Sequence, residues 1–226
     1  MFIVNAQELY NKLCEIDFSN NYGNIVFNLA GITVKVNTTD TVGVTIQSWL
    51  KEYLNLHNIY FSVPNNTQEF PDFYLNPDYP NENMLEVKAF NYNASPAFDI
   101  ANFESYCHSV KNKVYRLNAD YLIFGYTMNF EGNIKIEKIW LKKIWEIAGN
   151  SRRYPLKTQI KRNMIYNIRP NNSFKEGKNS IFKCKEDFLF AIYKTLLDYK
   201  GKDFAEFWKE NLAENYKEYF GYELNF

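Results

Sequence analysis

The chain predicts a mixed α/β domain with a central sheet flanked by helices, and three features predict it. Two apolar, aromatic-rich runs, Phe70–Leu75 and Met84–Phe90, have strand character and are joined by the turn-forming cluster Asn76–Asn83. Asp99–Leu117 follows, with apolar residues at the three-or-four spacing of an amphipathic helix. Tyr121–Tyr126 and Ile134–Ile139 come next, the first continuously apolar like a buried strand, the second alternating like a half-exposed one. Strand, strand, long helix, strand, strand is the order of a sheet with a crossover helix.

The remaining elements read in the same way. Asn5–Cys14 predicts a short helix with Leu9 and Leu13 on one face, and Ile25–Asn28 and Ile32–Val36 predict short strands around Gly31. Thr41–Leu54 places Val42, Ile46, Trp49, Leu50 and Tyr53 at helical spacing, with Asp40 as its N-cap. Ser95 or Asp99 caps the long helix, whose buried stripe is Ile100, Phe103, Tyr106, Val110 and Val114. Lys185–Leu197 and Phe204–Tyr219 are helical by pattern and rich in aromatics, which suits helix packing or a subunit interface. At 226 residues the chain suits one domain, 1–226: a core over about 40–145, a basic segment over about 151–185 and a helical part over about 186–226.

Composition narrows the class. With 46% hydrophobic residues the chain can bury a core, and no apolar run approaches the ~18 residues of a membrane span. Cys14, Cys107 and Cys184 are odd in number, far apart and without a CxxC spacing, which argues against a zinc site and a disulfide framework. Reduced thiols and the lack of a secretory leader pattern predict a soluble cytoplasmic protein. His57 and His108 have no cysteine partners at ligand spacing and read as structural or surface residues. Trp49, Trp140, Trp145 and Trp208 read as core.

Chemistry concentrates in Pro71-Asp72 and Glu86-Val87-Lys88. Glu86 and Lys88 are two apart on a strand and leave the same face, while Val87 points into the core. Asp72, fourteen positions earlier in sequence, returns to them through the Asn76–Asn83 hairpin. Two carboxylates suit a hard, oxygen-preferring cation such as Mg²⁺, with the Val87 carbonyl as a further ligand. Such an ion lowers the pKa of bound water, and the lysine adds positive charge near a phosphate under attack. The plainer alternative is a same-face ion pair between Glu86 and Lys88 on an exposed edge. Asp78 also follows a proline, yet sits in a turn cluster and reads as a loop residue.

Pro71-Asp72 … Glu86-Val87-Lys88 resembles the motif of the PD-(D/E)XK nuclease superfamily. The likeness runs on through Ala89-Phe90-Asn91, Phe98-Asp99-Ile100-Ala101-Asn102-Phe103 and Ala119-Asp120-Tyr121-Leu122-Ile123-Phe124-Gly125-Tyr126, where the chain is similar to type II restriction endonucleases of the NgoBV/NlaIV group. The resemblance implies a restriction-endonuclease-like core and Mg²⁺-dependent, site-specific cleavage of double-stranded DNA, at sites of the form GGNNCC. Asp72 and Glu86 would be metal ligands and Lys88 the catalytic lysine. It further implies a homodimer matching a two-fold site, and a cognate DNA methyltransferase as a functional partner. Many members carry another acid on the first core helix, where Gln47 and Glu52 are the candidates here. A repair or recombination nuclease of the same fold, or a non-catalytic nucleic-acid-binding module, are the alternatives.

The overall formal charge is zero, yet it is segregated. Between Ser151 and Lys185 ten basic residues stand against the single acid Glu176, with Asn and Gln interleaved. Arg with Asn or Gln reads base edges and Lys mostly meets phosphates, so Lys157, Lys161, Arg162, Asn163 and Arg169 are the expected DNA contacts. A solvated basic loop is the bland reading of the same run.

Overall fold

The computed structural model describes residues 1–66 and 69–226. In chain order it contains α1 (Ala6–Cys14), β1 (Ile25–Leu29), β2 (Ile32–Val36), α2 (Val42–Leu56), β3 (Phe73–Tyr74) and β4 (Met84–Asn91). There follow β5 (Ala101–Asn102), α3 (Phe103–Asn112), β6 (Asp120–Met128), β7 (Ile134–Lys143) and α4 (Ile144–Ile147). The last elements are β8 (Thr158–Lys161), β9 (Met164–Ile168), α5 (Ser173–Glu176), α6 (Lys185–Lys200) and α7 (Lys202–Phe220). The architecture is mixed α/β, as the sequence predicts. It divides into two compact units, Met1–Pro96 with Asp120–Lys142, and Ala97–Ala119 with Lys143–Phe226.

The first unit is built on a four-stranded sheet in the order β3-β4-β6-β7. β3 runs antiparallel to β4, and β4 parallel to β6 with Glu86 beside Tyr121 and Lys88 beside Ile123. Parallel pairing explains why Leu122, Ile123 and Phe124 are consecutive and all buried, since a parallel strand is covered on both faces. α2 buries Val42, Ile46, Leu50 and Leu54, four apart, in a core shared with Leu9, Leu13, Phe73, Leu85 and Val87. A separate two-stranded hairpin, β1-β2, completes this unit.

Glycine is required at one place in the sheet. Trp140 stacks between Phe90 and Tyr92, with ring centroids 5.6 and 6.2 Å away, over Gly125 of β6. A Cβ on Gly125 would lie 2.9 Å from both the Trp140 and Tyr92 rings. Gly125→Ala is therefore expected to destabilise the protein by about 1–3 kcal/mol through overpacking. Urea unfolding should show the loss as a lower midpoint with an unchanged slope.

The second unit carries a three-stranded sheet, β5-β9-β8, and the helices α3, α6 and α7. α6 and α7 form a helical hairpin broken at Gly201, whose φ of 91° suits glycine. α3 is clamped to α7 by two long-range bonds. Trp208 Nε1 donates to the Cys107 carbonyl at 2.8 Å, and Asn215 Nδ2 to the Lys111 carbonyl at 2.8 Å.

Four boundaries differ from expectation, each for a local reason. The long helix is not continuous over Asp99–Leu117. Ala101–Asn102 pairs with Ile168 and Asn167, and the Asn102 side chain then accepts from the Ser105 amide as the true N-cap, not Ser95 or Asp99. α3 stops at Asn112, and a tighter 3₁₀ turn covers Val114–Asn118. α2 is preceded by a 3₁₀ turn over Thr39–Thr41, so its N-cap is Thr41 rather than Asp40. The strand expected over Phe70–Leu75 shrinks to Phe73–Tyr74, because Pro71 has no N–H and the Asp72 amide is spent on a side chain. Trp140 and Trp208 are buried as expected, but Trp49 is 39% exposed. No helix among the described residues is long and apolar enough to cross a membrane.

Candidate active site

The site forms where β3 meets β4. Their register pairs Phe73 with Leu85, which sets Asp72 opposite Glu86 one step on. The Asp72 amide donates to Glu86 Oε2 at 3.2 Å, and Asp72 Oδ2 accepts from the Val87 amide at 2.7 Å. Lys88 Nζ donates to Glu86 Oε1 at 2.8 Å. All three residues of the motif thus share one hydrogen-bonded cluster, while Leu85 and Val87 turn into the core on the opposite face. Asp78 is elsewhere. It is exposed, in a turn where Asn76 Oδ1 accepts from the Asp78 and Tyr79 amides.

The first core helix contributes one of its two candidates. Gln47 Nε2 donates to Asp72 Oδ1 at 2.6 Å, whereas Glu52 is exposed and accepts from its helix neighbour Asn55. The five-residue offset turns Glu52 well away from the face that carries Gln47. An open cleft of about 390 Å³ lies over Asp72. Gln47 and Lys51 of α2 line one wall, and Val63 and Pro64 line another. Lys51, one helical turn from Gln47, was not singled out by the sequence.

Electrostatics mark the pair as crowded. Burial, and then repulsion from Glu86, push the Asp72 carboxyl up to about 6, against the smaller opposing effects of the Val87 amide, Lys88 and Gln47. Two carboxylates this close cannot both ionise cheaply without a cation between them. Each has one protein donor per oxygen, which leaves further lone pairs for a hard ion. The two carboxylates therefore fit a divalent oxygen-preferring metal that keeps water among its ligands. Among the described residues no cluster of three or more His, Cys, Asp or Glu offers an alternative metal site.

The predicted DNA-contacting residues fall into two groups. Arg162 and Asn163 form the two-residue tip of the β8–β9 hairpin, with φ of 50° and 63°, and Lys161 pairs with Met164 beneath them. Both φ values are positive, as the hairpin's two-residue primed turn requires. Lys161, Arg162 and Asn163 are exposed, and Lys161 lies 5.2 Å over the Tyr166 ring. Arg169 and Lys157 face the fold instead. The Arg169 guanidinium is bound by the Asp99 carboxylate and the Ala97 carbonyl. Lys157 Nζ donates to the Pro170 carbonyl at 2.9 Å, and burial, then Arg169, lower its pKa.

His108 is exposed beside Asn112, and His57 stacks on Tyr53. Cys14, Cys107 and Cys184 are all free.

Comparisons with known proteins agree over nearly the whole chain. The type II restriction enzyme NlaIV of Neisseria lactamica is 39% identical over 225 residues, 97% of this chain and 92% of the relative. The type II restriction enzyme NgoBV of Neisseria gonorrhoeae is 40% identical over 151 residues, 66% of this chain and 85% of the relative. A solved structure of NlaIV restriction endonuclease superposes with a TM-score of 0.90 at 38% identity, covering 100% of this chain and 93% of the other. The family model for NgoBV restriction endonuclease matches residues 3–226, and with likeness of that extent the chain belongs to the NgoBV restriction endonuclease family, whose members named here are type II restriction enzymes.

Proposed function

We propose that this protein hydrolyses phosphodiester bonds in double-stranded DNA at a short specific site, using Mg²⁺ held by Asp72 and Glu86 with the Val87 carbonyl. The observation that carries this reading is the single hydrogen-bonded cluster of Asp72, Glu86 and Lys88, whose Asp72 lines an open cleft. When bound, the metal supplies an activated water and charge stabilisation at the phosphate. The chain's own residues do the rest. Asp72 and Glu86 fix the ligand oxygens through the β3–β4 register. Gln47 orients the Asp72 carboxylate from α2. Lys88 carries its positive charge beside Glu86, where it stabilises the phosphate and the attacking water. A two-fold site makes a homodimer the natural assembly, each copy cutting one strand.

The test is digestion of phage DNA with and without Mg²⁺. Discrete fragments that require the metal support the reading, whereas a smear indicates a nuclease without site preference. Uncut DNA that is nevertheless bound would point to a binding module.

Sequence reading is assigned to the β8–β9 ribbon, since a two-stranded ribbon fits the major groove and its tip presents Arg162 and Asn163. Arg162→Ala and Arg162→Gly should weaken cognate binding alike, by about 1–3 kcal/mol and mainly at one base pair. Glycine tolerates the positive φ and alanine does not, so a loss seen only with alanine would assign the effect to the turn. Lys161→Ala should instead weaken all sequences and flatten the salt dependence by about one unit of slope. Binding to cognate and single-base-substituted duplexes at several salt concentrations separates these outcomes.

A further inference from the structure

The β1–β2 hairpin is two-faced. Its register pairs Ile25 with Val36, Phe27 with Val34 and Leu29 with Ile32, around a two-residue Ala30–Gly31 turn with positive φ. Those six apolar side chains share one face, and Val26, Asn28, Thr33 and Lys35 share the other. Among the described residues, only the base of the apolar face is covered, where Ile25 packs against the core of its unit. Farther out, Phe27 is 56%, Leu29 65%, Ile32 67% and Val34 50% exposed. A period of two that sorts every apolar strand residue but Val26 onto one face is the pattern of a strand pair with something packed on it. An isolated two-stranded hairpin is at best marginally stable in water, and exposed apolar edge strands invite association.

We propose that this apolar face is the contact between two copies of the chain. The choice of occupant rests on the two-fold enzyme described above, since a palindromic duplex site calls for a second identical catalytic set. Area and charge support it independently. The exposed side chains of the face amount to roughly 500 Å² per chain, so two copies face to face remove roughly 1,000 Å², where specific interfaces begin. A two-fold axis through the face brings Phe27, Leu29, Ile32 and Val34 of each copy against the same patch of the other, as an isologous interface requires. Nucleic acid is a poor occupant. The hairpin has one charged residue, Lys35, on the opposite face and bonded to Asn133 Oδ1 at 2.6 Å.

Sedimentation velocity of the full-length protein at micromolar concentrations tests the proposal without reference to catalysis. The wild-type protein and Asp72→Asn should both sediment as two chains. Phe27→Asp combined with Ile32→Glu should sediment as one chain, with a dissociation constant at least about 100-fold higher and unchanged far-ultraviolet circular dichroism. Val26→Asn, on the polar face, should remain two chains. If the double variant melts early, Leu29→Gln at the exposed tip repeats the test with less disturbance. A wild-type protein of one chain at every concentration, with and without duplex DNA, would overturn the proposal. So would a double variant that keeps the two-chain mass, or a Val26→Asn protein that loses it. Failure to cut DNA with the two-chain mass intact would count against the catalytic reading alone.

Discussion

Asp72→Asn is expected to melt later than the wild-type protein at pH 8 without metal, while losing DNA cleavage by at least about 10³-fold. Both effects come from the same charge. In the folded, metal-free protein the Asp72 carboxyl titrates near 6, against about 3.9 for an unperturbed aspartate. Above pH 6 it is ionised in both folded and unfolded chains, and folding bears the full unfavourable burial beside Glu86. As pH falls from 6 to 4 the folded protein takes up the proton first, so the wild type gains stability and the penalty vanishes below 4. Asparagine never bears that penalty. Its Oδ1 can still accept from the Val87 amide, and its Nδ2 meets Gln47 once the glutamine amide turns over. The variant should therefore lead by up to about 2–3 kcal/mol at pH 8 and by almost nothing at pH 4. Mg²⁺ should reverse the order at pH 8 by stabilising only the protein that binds it. Thermal melts at both pH values, with and without Mg²⁺, read this out. A variant that melts earlier at both pH values would show that Asp72 is held for its hydrogen bonds rather than tolerated for its charge.

Lys88→Ala should also abolish cleavage, by at least about 10³-fold, and its stability profile distinguishes catalysis from structure. The Lys88–Glu86 pair is largely shielded, with 19% and 12% of the side chains exposed. If its role is structural, removal of the lysine strands a buried charge at roughly 3–5 kcal/mol, and metal restores both stability and cutting. If its role is catalytic, Mg²⁺ replaces the missing positive charge between the two carboxylates and restores the melting temperature without restoring scission. Normal cleavage by metal-loaded Lys88→Ala would remove the lysine from the mechanism.

The hydrogen-bonded cluster of Asp72, Glu86 and Lys88 was legible because it depends on short-range rules. A period of two puts Glu86 and Lys88 on one face, and a turn-rich segment returns Asp72 to them; neither needs knowledge of the rest of the fold. Between Gln47 and Glu52 the sequence was silent. Helical spacing ranks faces by apolarity, yet which polar flank of α2 overhangs Asp72 is decided by packing on β4. Charge composition located the basic segment but not its division of labour. Arg169 and Lys157 are claimed by Asp99, Ala97 and Pro170, long-range partners that composition cannot reveal. The tip at Arg162–Asn163 escaped notice because an arginine at positive φ lacks the Asn-Gly signature of such turns. The over-long helix had a similar cause, since Ile100 and Ala101 fit a helical stripe but are taken by β9.

The chain enters and leaves its first unit in a way that bears on how the enzyme is made. Between the last residue of β4 and the first of β6 the backbone passes through Ala97–Ala119, which belongs to the other unit and is clamped there by α7. A nascent chain translated as far as Lys88 has its chemistry but not the parallel strand that backs it. That strand must close a long connection, within which α3 is hydrogen-bonded to Trp208 and Asn215. β4 thus gains its parallel neighbour only after Ala97–Ala119 has been synthesised. A nascent chain halted within Ala97–Ala119 would carry every proposed catalytic residue without the parallel strand that backs them.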